Sequence, residues 1–260
     1  MAVISLFLIS LGINGIFFIF AAILKTDVFT DITYSLTFIT LSLALLLTAH
    51  DLSLWQILIA CGVILWGIRL GTYLFTRILL IKVDHRFDDK RNSVIKFGSF
   101  WILQAITVAV VMLPVYGLIT VDGKNAPPTG LLILAGLLFL IGLVIETIAD
   151  AQKFAFKKTA SGKGRWMESG IWRYSRHPNY FGEMLVWWSI ALPGITVFYG
   201  FQWFYFIGPI FITMLLLFVS GIPLLEKEAD RKWGTNADYL QWKHSTSLLI
   251  PFFPRKTHKQ

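Results

Sequence analysis

Charge is scarce in this 260-residue chain: 15% of its residues are Asp, Glu, Lys or Arg, against about a quarter in a water-soluble domain. With 56% hydrophobic residues and a mean hydropathy of +0.67, that deficit excludes an ordinary soluble domain and a disordered chain alike. Cysteine is nearly missing, and Cys61 alone excludes a disulfide framework. Gly and Pro follow no period, which excludes a collagen-like chain. The familiar catalytic strings are missing too: there is no G-x-G-x-x-G after a strand pattern, no G-x-x-x-x-G-K-[ST], no H-E-x-x-H and no G-x-S-x-G. A nucleotide, if bound, is not held by a soluble Rossmann or P-loop module. The five His and one Cys lack close metal-ligand spacing, so no metal site is expected.

What the chain has is apolar blocks of about 20 residues, each long enough to cross a bilayer as a helix. The reading is an all-α integral membrane protein with about seven spans, at about 2–24, 32–50, 54–76, 95–117, 129–149, 180–197 and 201–225. One membrane domain covers 1–260. Its N-terminal helices, 1–128, carry the substrate-side groups, and 129–260 carries the cofactor-binding helices and loops. Of 23 Lys and Arg, six lie in 77–96, seven in 153–176 and seven in 227–259, so these segments share a side. The positive-inside rule makes that side cytoplasmic and places the N-terminus outside. The first block has no basic n-region and precedes Lys25, and it reads as a span rather than a signal peptide. The net charge of +8 needs no nucleic-acid partner; the cytoplasmic excess suits anionic lipid or a polyphosphate ligand. Val121–Pro128 reads as an outside loop, and Ala160–Gly164 as a flexible cytoplasmic one.

The informative polar content lies in 146–188. Glu146, Asp150, Lys153 and Lys157 follow at spacings of 4, 3 and 4, which puts them on one helical stripe. The lysines also fit a solvated helix end paired with Asp150, whereas a carboxylate inside the hydrocarbon edge at Glu146 needs a partner or a polar cavity. Pro178 suits the first turn of a helix, and Asn179, Glu183 and Trp187 then share one face of it. Arg165, Arg173, Arg176 and His177 crowd the preceding loop, where they can meet phosphates at a helix N-terminus. The segment from Glu226 through Tyr239 to Pro251 mixes charge with aromatics and reads either as a cover for the pocket or as a plain interfacial helix. In span three, Arg69 and Tyr73 lie one turn apart. Arg69 calls for a buried partner, and Asp31 and Tyr34 are candidates for that role or for substrate binding.

The run GIWRYSRHPNYFGE at 170–183, with Glu146-x-x-x-Asp150 upstream, PLLEK at 223–227 and SLLIPFFP at 247–254, resembles the steroid 5α-reductase-like membrane reductases, especially their bacterial branch. The similarity runs from span three to the C-terminus. Two activities share the pattern. Steroid and sterol reductases of this kind use NADPH, whereas isoprenylcysteine carboxyl methyltransferases and phospholipid methyltransferases use S-adenosylmethionine. The resemblance implies cofactor roles for Asp150, Lys157, Arg165, Tyr174, Arg176, Asn179, Tyr180, Glu183 and Tyr239, with Trp187 behind them. The reading of the residues themselves adds Glu146, Lys153, His177 and Glu226. Lysine replaces an expected arginine at some phosphate-side positions, and Glu146 stands where the steroid enzymes tend to have an amide. Trp66 occupies the place of the tyrosine that polarises a steroid 3-keto group.

The leading expectation is an NADPH-dependent reductase of a conjugated C=C bond in a lipophilic, steroid- or enone-like substrate that enters from the bilayer. Its candidate catalytic residues are Tyr73, Arg69 and Asp31. The alternative is an S-adenosylmethionine-dependent membrane methyltransferase, which needs fewer cations than the 153–176 segment holds. A non-catalytic lipid-binding protein is the third reading. The expected location is a bacterial inner membrane, in contact with its lipids.

Overall fold

The computed structural model describes residues 1–81, 93–159, 162 and 164–254. Lys82, Arg86, Lys90, Arg91, Ala160, Ser161, Lys163 and the tail from Arg255 lie outside the described residues. Among those described there are helices and turns but no strand, and six helical segments are long and apolar enough to cross a membrane. The chain is therefore a multi-pass, all-α integral membrane protein. The stretch expected as a span at 180–197 forms a helix of only 14 residues, Pro178–Ala191, followed after Pro193 by the single turn Gly194–Val197. Proline lacks the N–H that would continue the ladder, and 14 residues rise about 21 Å, short of the ~30 Å core.

The chain packs as two compact units, 1–135 with 190–209 and 136–189 with 210–260. In the first, α1 (Val3–Ile23), α2 (Val28–Thr48), α3 (Leu54–Ile81) and α4 (Val94–Val111) bury a set of small polar groups rather than only hydrocarbon. Gln104 Nε2 donates to Asn14 Oδ1 (2.9 Å) and to the Thr30 carbonyl (3.2 Å), while Asn14 Nδ2 donates to the Ser10 carbonyl (2.9 Å). Ser10 Oγ donates to the Ala105 carbonyl (2.8 Å). Hydrocarbon offers no drive for apolar helices to associate, so such interhelical bonds hold the helices together. Pro114, in the first turn of α5 (Leu113–Thr120), separates it from α4. Gln56 Nε2 closes the far end by donating to the Leu118, Ile119 and Val121 carbonyls.

The second unit contains most of α6 (Thr129–Lys158), α7 (Pro178–Ala191), then α8 (Gly194–Val197) lying in the first unit, and α9 (Ile207–Met214), α10 (Ile222–Trp233) and α11 (Ala237–Ser245) in the second. The 30 residues of α6 rise about 45 Å, more than a hydrocarbon core, and its polar half begins at Glu146. Trp188 Nε1 ties α7 to α9 through Thr213 Oγ1 (3.0 Å). The segment 246–254 has no regular structure: it bends at Thr246 and again over Leu248–Ile250, with an isolated bridge from Ser247 to Ser175.

Candidate functional site

Loop 164–177 has no regular structure beyond the 3-10 turn Gly170–Arg173, and its shape comes from bonds to its flanks. Gln152 on α6 accepts from the Ile171 amide (2.9 Å), and Trp172 Nε1 donates to the Ala149 carbonyl (3.0 Å). Lys153 Nζ sits 4.6 Å from the centre of the Trp172 ring. Gly170 makes the close approach possible: its φ is +62°, and a β-carbon there would lie 2.3 Å from Gln152 Oε1. On the other flank the irregular 246–254 segment pairs with Tyr174–Arg176. The Arg176 amide donates to the Ser247 carbonyl (2.8 Å), the Phe252 amide to the Tyr174 carbonyl (2.9 Å), and Ser175 Oγ to the Leu249 carbonyl (2.7 Å). Ser175 Oγ also accepts from the His177 amide (3.1 Å), one residue before Pro178 opens α7.

The loop delivers Arg176 and His177 to one carboxylate. Glu226 on α10 takes Arg176 Nη1 at 2.9 Å on one oxygen and His177 Nε2 at 2.8 Å on the other, with Lys243 Nζ of α11 3.3 Å away. Lys243 also contacts Asp230, which accepts from the Tyr239 hydroxyl (3.1 Å). Tyr180 stacks on the His177 ring, 5.8 Å between centres and nearly parallel. Burial pushes the His177 pKa below the usual 6.5. The Glu226 hydrogen bond and charge oppose that, and the Lys153 and Arg176 charges add to it. Burial, with the bond to Asp230, raises the Tyr239 pKa. Four buried polar atoms here have no hydrogen-bond partner among the described residues: Arg176 Nε, His177 Nδ1, Asn179 Oδ1 and Trp242 Nε1.

In the same unit a cleft of about 400 Å³ opens among Arg165, Glu168, Arg173, Asp238, Gln241, Trp242, Ser245, Thr246 and Pro254. Trp242 on its wall belongs to an aromatic cluster in which Trp166 lies 5.3 Å from Tyr239 and 6.4 Å from Trp242, centre to centre. Arg165 is exposed and paired with Glu168 at 3.2 Å.

Of the residues singled out from sequence, Arg176, His177, Tyr180, Glu226 and Tyr239 thus belong to one connected network, with Lys153 beside it. Glu146 and Asp150 are buried, at 2% and 4% exposure, and both are engaged by other groups. Asn179 and Glu183 are half-buried on α7, Trp187 is wholly buried, and Lys157 is exposed. Tyr174 packs edge-on against Phe253 at 5.7 Å. Asp31, Arg69 and Tyr73 lie in the other unit. There Arg77 forms a 2.9 Å ion pair with Asp31, and the Arg69 guanidinium lies 5.8 Å from the Tyr73 ring centre. Trp66 is buried at the end of an aromatic ladder running through Tyr34 and Phe38. Sequence reasoning missed Gln152, Ser175, Asp230 and Lys243. A helical signal existed for two of them, since Asp230 follows Glu226 by four residues and Lys243 follows Tyr239 by four.

The family described as "Protein of unknown function (DUF1295)" matches residues 17–246. A Delta(14)-sterol reductase from Arabidopsis thaliana is 36% identical over 92 residues, which are 31% of this chain and 24% of that protein. The matched part is thus about a quarter of the relative. No solved structure matches the chain.

Proposed function

The chain belongs to the DUF1295 family, and from that premise we propose that it is a membrane reductase of the steroid 5α-reductase-like kind, using NADPH on a conjugated C=C bond of a lipophilic substrate. The observation that carries this reading is the pair of buried polar atoms without a partner among the described residues, His177 Nδ1 and Asn179 Oδ1, at the start of α7, in the same unit as a cleft that carries Arg165 and Arg173. A buried polar atom without a partner is costly, and a ligand bearing hydrogen-bond donors relieves that cost. The similarity to a sterol reductase supports the same chemistry.

The residues present fit the group. Arg165 and Arg173, on the cleft wall, suit phosphates, and Trp242 with its aromatic neighbours suits a flat base. Asn179 and Glu183 suit the amide and hydroxyl groups of the other end, where Glu146 and Asp150 supply further acceptors. NADPH, when bound, supplies a hydride. The chain's part is to hold it, exclude water with the apolar helices and stabilise charge developing on the substrate carbonyl. We assign that last role to Tyr73 and Arg69, with Asp31 in support through Arg77. Reduction would place a hydride on the carbon β to the carbonyl and a solvent-derived proton on the α carbon, so the product would carry two more hydrogens. In this reading the N-terminus is outside, the site faces the cytoplasm, and the membrane is a bacterial inner membrane.

Purified protein in lipid discs, given NADPH and a panel of lipophilic enones, is expected to consume NADPH absorbance and yield products heavier by two hydrogens. Replacing Arg165 and Arg173 together by Ala is expected to raise KM for NADPH. Binding of S-adenosylmethionine with no affinity for NADPH overturns the reading in favour of a methyltransferase.

A further inference from the structure

The contact between His177 and Glu226 leaves little freedom in where the imidazole carries its proton. His177 Nε2 lies 2.8 Å from Glu226 Oε1. An ionised carboxylate only accepts, so a bare Nε2 at that distance would set two lone pairs against each other. The ring is 5% exposed, and its burial, together with the Arg176 and Lys153 charges, disfavours the doubly protonated form. What remains is a neutral ring with hydrogen on Nε2 and a lone pair on Nδ1, which is buried and has no partner among the described residues. Two positions along, Asn179 Oδ1 is a second buried acceptor in the same state, and Arg176 Nε is a single donor beside them. Phosphate, which offers acceptors only, is a poor complement to that set. A hydroxyl or an amide N–H is a good one. Arg176 and His177 therefore do not form the phosphate-meeting pair expected of them at this helix start, because both are turned onto Glu226.

We infer that Glu226 is a positioning residue: it fixes His177 as the Nε2–H tautomer, so that Nδ1 accepts a hydrogen bond from a hydroxyl or amide N–H of the bound ligand. That the ligand is NADPH rests on the function proposed above; the tautomer does not. Glu226 does not touch the ligand in this scheme. It acts through His177, whose ring Tyr180 braces by stacking.

The test has two parts. In ligand-free protein labelled with ¹⁵N-histidine, the His177 signals, identified by their loss in His177→Asn, are expected to show the Nε2–H tautomer. Glu226→Gln, whose side-chain oxygen still accepts, should preserve it, and Glu226→Ala should not. In NADPH binding, His177→Asn keeps a polar atom near the place of Nδ1, whereas His177→Gln keeps only the reach to Glu226. The Gln variant is expected to weaken NADPH about tenfold or more, and clearly more than the Asn variant. An Nδ1–H tautomer, or a Gln variant that binds better than Asn, overturns the inference. Absence of NADPH binding by the unaltered protein overturns the proposed function instead, and the tautomer measurement still decides this point.

Discussion

Gly142 and Gly182 meet backbone against backbone where α6 packs on α7: a β-carbon on Gly182 would lie 2.7 Å from both the Gly142 carbonyl oxygen and the Glu146 amide nitrogen. Small residues let helix backbones approach this closely in a membrane. Gly182→Ala forces the helices apart and shifts the carboxylate-bearing turn at Glu146. The expected cost is about 1–3 kcal/mol, read as a lower unfolding temperature in detergent. Gly136→Ala, on the same α6, meets nothing within 4 Å and should leave that temperature unchanged or slightly raised.

The two ion pairs flanking the cleft and the network should respond very differently to loss of their acid. Glu226 and Arg176 are 19% and 12% exposed, so Glu226→Ala strands a mostly buried guanidinium and a buried imidazole. The expected loss is about 3–5 kcal/mol. Arg165 and Glu168 are 57% and 41% exposed, and Glu168→Ala is expected to change stability by less than about 1 kcal/mol. Denaturant unfolding of both variants, side by side, checks the ranking.

Ser175 joins the end of the loop to the 246–254 segment. Ser175→Ala removes the bond to the half-buried Leu249 carbonyl and the acceptor for the buried His177 amide. Amide hydrogen exchange is expected to speed up at Arg176 and Phe252, whose amides bridge loop and segment, while α1–α4 exchange as before. Equal speeding throughout the chain would contradict the local role.

Acid should act on the second unit through His177. Its folded pKa lies below 6.5, so in the window between the two values the unfolded chain holds a proton that the folded chain refuses. Stability is thus full above about pH 6.5 and falls as the pH drops through the folded value. NADPH affinity is expected to hold through that window and to fall as the pH drops through the folded value, because protonation of Nδ1 destroys the acceptor. His177→Asn should flatten that slope, measured as the NADPH dissociation constant against pH.

The helices were legible because hydrocarbon imposes a length on any apolar run that crosses it. Where the chain departs from that ruler, local chemistry intervened. Pro193 stops α7 at 14 residues, and the segment expected at 201–225 starts as a 3-10 stretch, Gly200–Phe206, and ends in a π turn, Leu215–Val219. No period in hydrophobicity marks either. Asn179, Glu183 and Glu146 stood out because polar side chains on an apolar helix are costly. The convergence of Arg176, His177 and Lys243 on Glu226 left no such trace, since the partners are far apart in the chain and each looks alone like positive-inside charge. Asp31 was readable as an ion-pair partner, but its pairing with Arg77 required knowing which turn of α3 it faces.

The pairing of Ser175 with Leu249 spans 74 positions, so that clasp can close only after the ribosome has made and released the chain through Leu249. During translation Arg176 and Tyr174 wait without the main-chain partners that later order them. A chain halted before Ser247 lacks the groups that pair with Tyr174, Ser175 and Arg176.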